Sequence, residues 1–341
     1  MSGLNRALSA WLALCGGLCG AASAADHIVV YTALDRSFSE PILQRFQERT
    51  GIEVRAVYDA ESTKTVGLIN RIRAEHGRPR CDVFWNNEIV NTLRLKAEGL
   101  LQPCSAPPAH AQEFPAQFQD PQGLWYGFAA RARVLIVNND LVPPGQEPRS
   151  LFDLVSTSWK GRVGIAKPLF GTTASHVACL YAALGRERTE DWLAALKANG
   201  VQILPGNKTC AEAVGAGRLA CALTDTDDAV IELAAGRPVR IVYLDSGPGD
   251  LGTLFIPNTL GVVAGCPNPQ GAALLIDFLL SAEVEQLLAD GPSAQIPLNR
   301  GSQGQLRVKT PQEVKPMAVD FAEAAAQFDT AARFIEENFL R

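Results

Sequence analysis

The sequence predicts an α/β protein built as two domains, and three observations carry that expectation. Short β-branched runs alternate with amphipathic helical patterns from residue 27 onward. The alternation stops at a loop rich in Pro, Ala and Gln over residues 103–123 and resumes beyond Pro143. The chain, at 341 residues, is longer than a single hydrophobic core usually serves. Strands and helices alternating at this spacing give parallel sheets with both faces covered.

In the first stretch, residues 27–31 read as a strand and 37–50 as a helix with Pro41, Ile42, Leu43 and Phe46 on one face, ended by Gly51. A strand over 52–58, a helix over 62–76, a strand over 82–85 and a helix over 88–98 follow. Two strands, 124–128 and 133–137, read as a crossover. The second stretch has strand 163–166, helices 173–184 and 190–198, strand 201–204, helix 211–216, strand 219–224, helix 228–235 and strand 239–243. Strands at 253–257 and 260–264 and an apolar helix at 271–280 come next. The segment 318–340 carries Val319, Phe321, Phe328, Phe334 and Ile335 on a wide apolar side, which suits packing against the body.

Composition sets bounds on function. A chain 47% hydrophobic and 20% charged is globular rather than disordered. Residues 1–24 read as a secretory leader: Arg6, an apolar run over 7–20, then Ala22-Ser23-Ala24 ahead of the cut. That run is shorter than the roughly 20 residues a membrane span needs. A lipid anchor is disfavoured because Cys15 and Cys19 each follow a leucine. The expected product is exported and periplasmic. Losing the leader removes one basic side chain and takes the net charge from −5 to −6. An acidic balance without a basic stripe argues against nucleic acid. Six cysteines remain, at 81, 104, 179, 210, 221 and 266; Cys81 with Cys104 and Cys210 with Cys221 are the first candidates for disulfides. No Cys-x-x-Cys spacing supports structural zinc.

Ligands of open α/β sheets sit beyond the carboxyl ends of the strands, which draws attention to residues 32–35, 59–63 and 86–88. The run Thr224-Asp225-Thr226-Asp227-Asp228 places three carboxylates at another strand end. They repel one another unless a cation or a helix terminus compensates, so either a ligand-facing role or helix capping accounts for them. Opposite in sign, Gly171-Thr172-Thr173 opens a helix whose free N–H groups suit an anion, or is an ordinary cap. Residues 62–64 pose the same choice at another helix start. Arg131 and Arg133 are candidates for a bidentate anion clamp, of which one need face the cleft. Tyr31, Tyr58, Trp85 and Phe170 are candidate walls, and His27 and His176 are read as packing residues. No G-x-S-x-G or ordered Ser, His, Asp set supports a hydrolase.

Four segments, "VVYTALDRSFSEPILQRFQERTGIEV", "CDVFWNNE", "WKGRVGIAKPLFGTTASH" and "PNTLGVVAGCPNPQGAALLIDFLLSAEVEQLLA" followed by "SAQIPLN", resemble in order and spacing the periplasmic solute-binding proteins of ABC importers, in particular the ferric-iron-binding branch. The resemblance implies a type II-like periplasmic-binding-protein fold, in which two lobes joined by crossing strands close on a ligand. It places lobe one at 25–131 plus 253–300, lobe two at 132–252, and the segment 301–341 on lobe two. It implies a membrane permease and an ATPase as partners of a monomer that is not an enzyme. The family's adjacent tyrosine ligands correspond here to Asp227 and Asp228, its histidine to Asp35, and its glutamate to Asn87 with Glu88 beside it. Its anion loop corresponds to Gly171-Thr172-Thr173, and a further anion contact to Asn207. The expected ligand set is therefore Asp35, Asn87, Glu88, Arg131, Gly171, Thr172, Thr173, Asn207, Asp225, Asp227 and Asp228, with Asp35, Asp227 and Asp228 on the metal. No phenolate stands at the matching positions, although carboxylates are also hard donors for trivalent iron. The leading ligand is iron(III), or an iron complex, with a bound anion. The alternatives are a small organic zwitterion such as an aminophosphonate, its amine on Asp227 and Asp228, and, in another class, an exported hydrolase using Asp35 and Asp227.

Overall fold

The computed structural model describes residues 27–59 and 65–341; the expected leader and the helix start at 62–64 lie outside the described residues. Three parallel strands, β1 (His27–Thr32), β2 (Glu53–Tyr58) and β3 (Val83–Asn86), form one half of a continuous ten-stranded sheet. Helices α1 (Arg36–Thr50) and α2 (Val66–Glu75) connect them and α3 (Val90–Ala97) follows β3; α1 ends on Gly51 with φ 72°, a conformation that glycine adopts without a Cβ penalty. A short β4 (Leu101–Gln102) precedes β5 (Tyr126–Asn138). The far half holds β6 (Val163–Ala166), β7 (Gln202–Leu204), β8 (Cys221–Asp225) and β9 (Val239–Val242), with α4 (Gly171–Leu184), α5 (Arg186–Ala198), α6 (Asn207–Gly215) and α7 (Thr226–Ala234) between them. The chain returns through β10 (Phe255–Val263), α8 (Pro269–Leu279) and α9 (Ala282–Asp290), and ends in α10 (Phe321–Phe334).

Strand order is β2-β1-β3-β10-β5-β8-β6-β7. The two central strands join the halves. The first part of β5 pairs with β10, and its second part pairs with β8 and β9. Where the sequence predicts two strands at 124–137, one thirteen-residue strand runs through. All its residues are buried, so the polar alternation that marks a half-exposed strand is missing from Ala129 to Ala132. Likewise the two short strands expected at 253–264 are one strand, β10, with a register shift between Ile256 and Asn258. Pro257 lies in the shift, where its missing N–H leaves no ladder bond to break.

Each half has its own core. One is built on Ile28, Val30, Phe46, Ile69, Phe84, Trp85, Leu260 and Ile276, the other on Leu135, Leu154, Val177, Leu193 and Leu223. Phe84 and Trp85 are both inaccessible to solvent although they face opposite ways, because helices cover both faces of β3. A side chain of this size fully buried contributes about 1.5–3 kcal/mol. Helix α10 adds Ala324, Phe328 and Ala331 to the second core. It also reaches the first half, where the Arg94 guanidinium lies 4.4 Å over the Phe328 ring and bonds Asp329.

Neither candidate disulfide forms: Cys81, Cys104 and Cys221 are free thiols. Cys81 donates to the Val83 carbonyl, and Cys104 is drawn to Tyr126 instead. Cys210 and Cys221 belong to separate core clusters, although α6 packs on β8.

Glu285 of α9 ties the crossing strand to the chain that follows α9. Its buried carboxylate accepts N–H bonds from Ala129 (2.5 Å), Leu298 (2.7 Å) and Asn299. Burial raises its pKa from the ordinary 4.5 to about 7, outweighing the three N–H donors, which act to lower it. A carboxyl whose pKa is higher folded than unfolded holds more proton in the fold, so stability falls as pH rises between those values. Unfolding free energy should therefore drop by on the order of 3 kcal/mol between pH 4.5 and 8 from this group alone. Urea melts of Glu285→Gln at both pH values should show that pH-dependent drop removed.

Candidate functional site

Where the halves face each other, three strand ends and two helix starts converge. Asp35 ends the turn after β1 and accepts the first N–H bonds of α1 through its carbonyl. Asn87 follows β3. From the other half come Gly171 and Thr172 at the start of α4, Asn207 at the start of α6, and Asp225, Asp227 and Asp228 across the β8–α7 junction. With Leu34 and Arg131 these residues enclose a cavity of about 20 Å³. A space of that size takes one or two water-sized objects.

The floor of the cavity is a buried charge cluster. Arg133 pairs with Asp225 in the β5–β8 register and donates to its Oδ1 at 2.8 Å. Arg131, on the same face two residues earlier, places Nε 3.5 Å from Asp225 Oδ2 and 3.9 Å from Asp227 Oδ2. Both guanidinium side chains and that of Asp225 are at most 5% exposed. Burial pushes the Asp225 pKa up, but the guanidinium groups of Arg133 and Arg131, with bonds from Thr172 and Arg133, hold it below the usual carboxylate value. Arg131 also donates to the Asn87 carbonyl and to Asn258 Oδ1 at 3.2 Å, which ties the floor to both halves.

Asn207 completes this network. Its amide donates to Thr172 Oγ1 at 2.7 Å and to Asp225 Oδ2 at 3.0 Å, and its carbonyl oxygen accepts from Thr173 Oγ1 at 2.9 Å and Arg133 at 3.0 Å. Thr172 spends its hydroxyl proton on Asp225. Both threonine hydroxyl protons are thus committed within the protein. What the start of α4 still offers an anion is backbone N–H, since the first N–H groups of a helix have no intrahelical acceptor.

The carboxylates differ in what is left to them. Oxygens of Asp225, Asp227 and Asp228 lie within 4.8 Å of one another, a spacing able to hold a metal ion. Asp225 faces the arginines, whereas Asp227 and Asp228 sit in the first turn of α7, where the helix dipole favours their charge. Four aspartates and Arg131 line the cavity, and Arg133 stands behind Asp225, so the cluster as a whole has a formal balance of −2.

Of the eleven residues expected at the site, nine line this cavity. Thr173 supports it from behind. Glu88 points elsewhere: it accepts from Asn86 (2.8 Å), from the Asn91 N–H and from Ser175 Oγ (2.7 Å), and so fixes the start of α3 against α4. Tyr31, Tyr58, Trp85 and Phe170 are not among the lining residues. His176 is enclosed, and burial with the nearby Arg133 lowers its pKa to about 3, so it is a neutral packing residue. The contribution of Arg133 was underrated in the sequence, although the i, i+2 spacing from Arg131 puts both on one strand face. Asn207 is inside α6 rather than ahead of it, because that helix starts four residues earlier than its apolar pattern suggests.

Comparison with known proteins follows the same lines. The sequence model described as bacterial extracellular solute-binding protein matches residues 90–326. The chain is similar to "Iron uptake protein A1" of Synechocystis sp., 28% identical over 288 residues, covering 81% of this chain and 78% of that one. It is also similar to the "Major ferric iron-binding protein" of Neisseria meningitidis, 25% identical over 289 residues, covering 84% and 85%. Among solved structures it superposes on iron-bound HitA from Pseudomonas aeruginosa with a TM-score of 0.80 at 28% identity, covering 90% of this chain and 98% of that one.

The charge cluster predicts an asymmetry among the aspartates. Asp225→Asn removes the carboxylate that faces Arg133 and leaves Arg131 only the 3.9 Å contact with Asp227, and should cost about 3–5 kcal/mol in a denaturant melt at pH 7. Asp228→Asn should change stability by under about 1 kcal/mol. Because the Asp225 pKa is lower in the fold, its contribution is present above the unfolded value and lost as pH falls through the folded one. The gap between wild type and Asp225→Asn should therefore narrow in acid.

Proposed function

The chain belongs to the bacterial extracellular solute-binding protein family, and from that premise we propose that it captures ferric iron with a small anion in the periplasm and delivers it to an ABC importer. The observation that carries this reading is the cleft itself: a cavity of about 20 Å³ walled by Asp35, Asp227 and Asp228. Hard carboxylate oxygens suit a hard cation, and such a space suits an ion rather than an organic molecule. A formal balance of −2 is neutralised by a trivalent cation together with one singly charged anion. The backbone N–H groups of Gly171 and Thr172 provide for that anion. Names among the relatives support the choice, since several are called iron-binding or iron uptake proteins. A relative called "Putative 2-aminoethylphosphonate-binding periplasmic protein" is 24% identical, but a zwitterion of that size exceeds the room between the halves.

In this reading Asp35, Asp227 and Asp228 are the metal ligands, and Asp225 is their support. We place lobe one at 25–131 plus 253–300 and lobe two at 132–252, with the crossing strands β5 and β10 as the hinge. The cation contacts carboxylates of both lobes only when they close, so its binding energy favours the closed state. A permease and an ATPase would complete the importer, with this chain as a monomeric binding component that performs no chemistry.

Purified mature protein incubated with ferric citrate and desalted should retain about one iron per chain. Its melting temperature should rise, by the equivalent of about 2.7 kcal/mol at a hundredfold excess over Kd. Asp227→Asn/Asp228→Asn should lose both effects, its own metal-free melting temperature serving as the baseline for the shift. Absence of metal and of any shift in the unmodified protein, together with a shift on adding 2-aminoethylphosphonate, would sink the iron reading.

A further inference from the structure

Arg131 stands beside two carboxylates of the cleft without donating a hydrogen bond to either. Its Nε lies 3.5 Å from Asp225 Oδ2 and 3.9 Å from Asp227 Oδ2, yet it is buried without a hydrogen-bond acceptor among the described residues. The other end of the guanidinium explains why it stays there. One terminal nitrogen donates to Asn258 Oδ1 at 3.2 Å and the other to the Asn87 carbonyl. A guanidinium is a rigid plane, so fixing both terminal nitrogens fixes Nε as well.

Asn258 is held in its turn. It is inaccessible to solvent and sits in β10 at the register shift beside Pro257. Its amide nitrogen donates to the Ala129 carbonyl and to Gln295 Oε1 at 2.8 Å. A backbone carbonyl can only accept, which settles the direction of the amide and turns Oδ1 toward Arg131. Ala129 is anchored by Glu285, whose carboxylate accepts its N–H at 2.5 Å.

We propose that Asn258 is a positioning residue: it holds the Arg131 guanidinium back from Asp227 and so keeps a side chain of the protein from taking the place of a cation on that carboxylate. Asn258 does not line the cavity and acts only through Arg131. Without Oδ1 the guanidinium would turn toward Asp227, where a shift of about 1 Å brings Nε into hydrogen-bond range. Asp225 already accepts from Arg133, Thr172 and Asn207. The inference deepens the reading of the cleft and rests on Asp227 as a metal ligand.

Two variants of the full mature chain test it. Asn258→Leu keeps the bulk of the side chain and removes the acceptor. Asn258→Asp keeps the acceptor and gives up the same two bonds to Ala129 and Gln295. Crystal structures of the metal-free variants should show Arg131 Nε within about 3.2 Å of Asp227 in Asn258→Leu and near its present 3.9 Å in Asn258→Asp. In titrations with ferric citrate, Asn258→Leu should bind iron about tenfold more weakly than the unmodified protein, and Asn258→Asp at least as tightly as it. An Arg131 that has not moved in Asn258→Leu would overturn the assignment. So would Asn258→Asp weakening iron binding tenfold or bringing Arg131 onto Asp227, results that decide the matter even where Asn258→Leu does not fold. The distances are read without metal, so an unmodified protein that binds no iron counts against the cargo, and the position of Arg131 still decides the role of Asn258.

Discussion

The contact between Asp225 and the two guanidinium groups of Arg131 and Arg133 constrains everything around it. Charges this deeply buried are tolerable only when paired and hydrogen-bonded, and each member of the cluster has partners fixed by the fold. Strand pairing sets Arg133 opposite Asp225, and the two-residue repeat of β5 brings Arg131 to the same face. Asn207, Thr172 and Thr173 satisfy further polar atoms of the cluster and so fix where α4 and α6 begin, although Nε of each arginine is buried without a hydrogen-bond acceptor among the described residues. The cluster lies on a strand shared by both halves, so the floor of the cleft is part of the connection between them.

Division of labour among the aspartates follows from that cluster. Asp225 is occupied by two cations of the protein itself. Asp227 and Asp228 lie one helical step away, stabilised by the start of α7, and share the small cavity with Asp35 from the other half. A trivalent ion placed there meets carboxylates already desolvated in part and held by rigid elements. The arginines limit the excess negative charge, so the cation-free form is not forced apart by repulsion.

Much of the fold could be read from the sequence because its strands and helices alternate with clear periodicity. What failed were the two crossing strands, each expected as two short pieces, because buried strands lose their polar alternation and Pro257 looks like a terminator. The acidic run was legible as three carboxylates at one strand end. Its partners were not, because the ion pair between Arg133 and Asp225 spans 92 positions of sequence. Glu88 was expected at the site from its place beside Asn87, yet backbone direction turns it toward Ser175. The threonines at the start of α4 read correctly as a polar helix terminus, but sequence cannot reveal that their hydroxyl protons are spent on Asp225 and Asn207.

The central claim is that Asp35, Asp227 and Asp228 hold a ferric ion while Asp225 stays with the arginines. An anomalous difference map at the iron absorption edge, from crystals of the ferric-loaded protein, tests it most directly. The account predicts one peak within bonding distance of those three carboxylates, with the Asp225 to Arg133 contact intact. A map without a peak in the cleft, or a peak bonded to Asp225 with its arginines displaced, would contradict it.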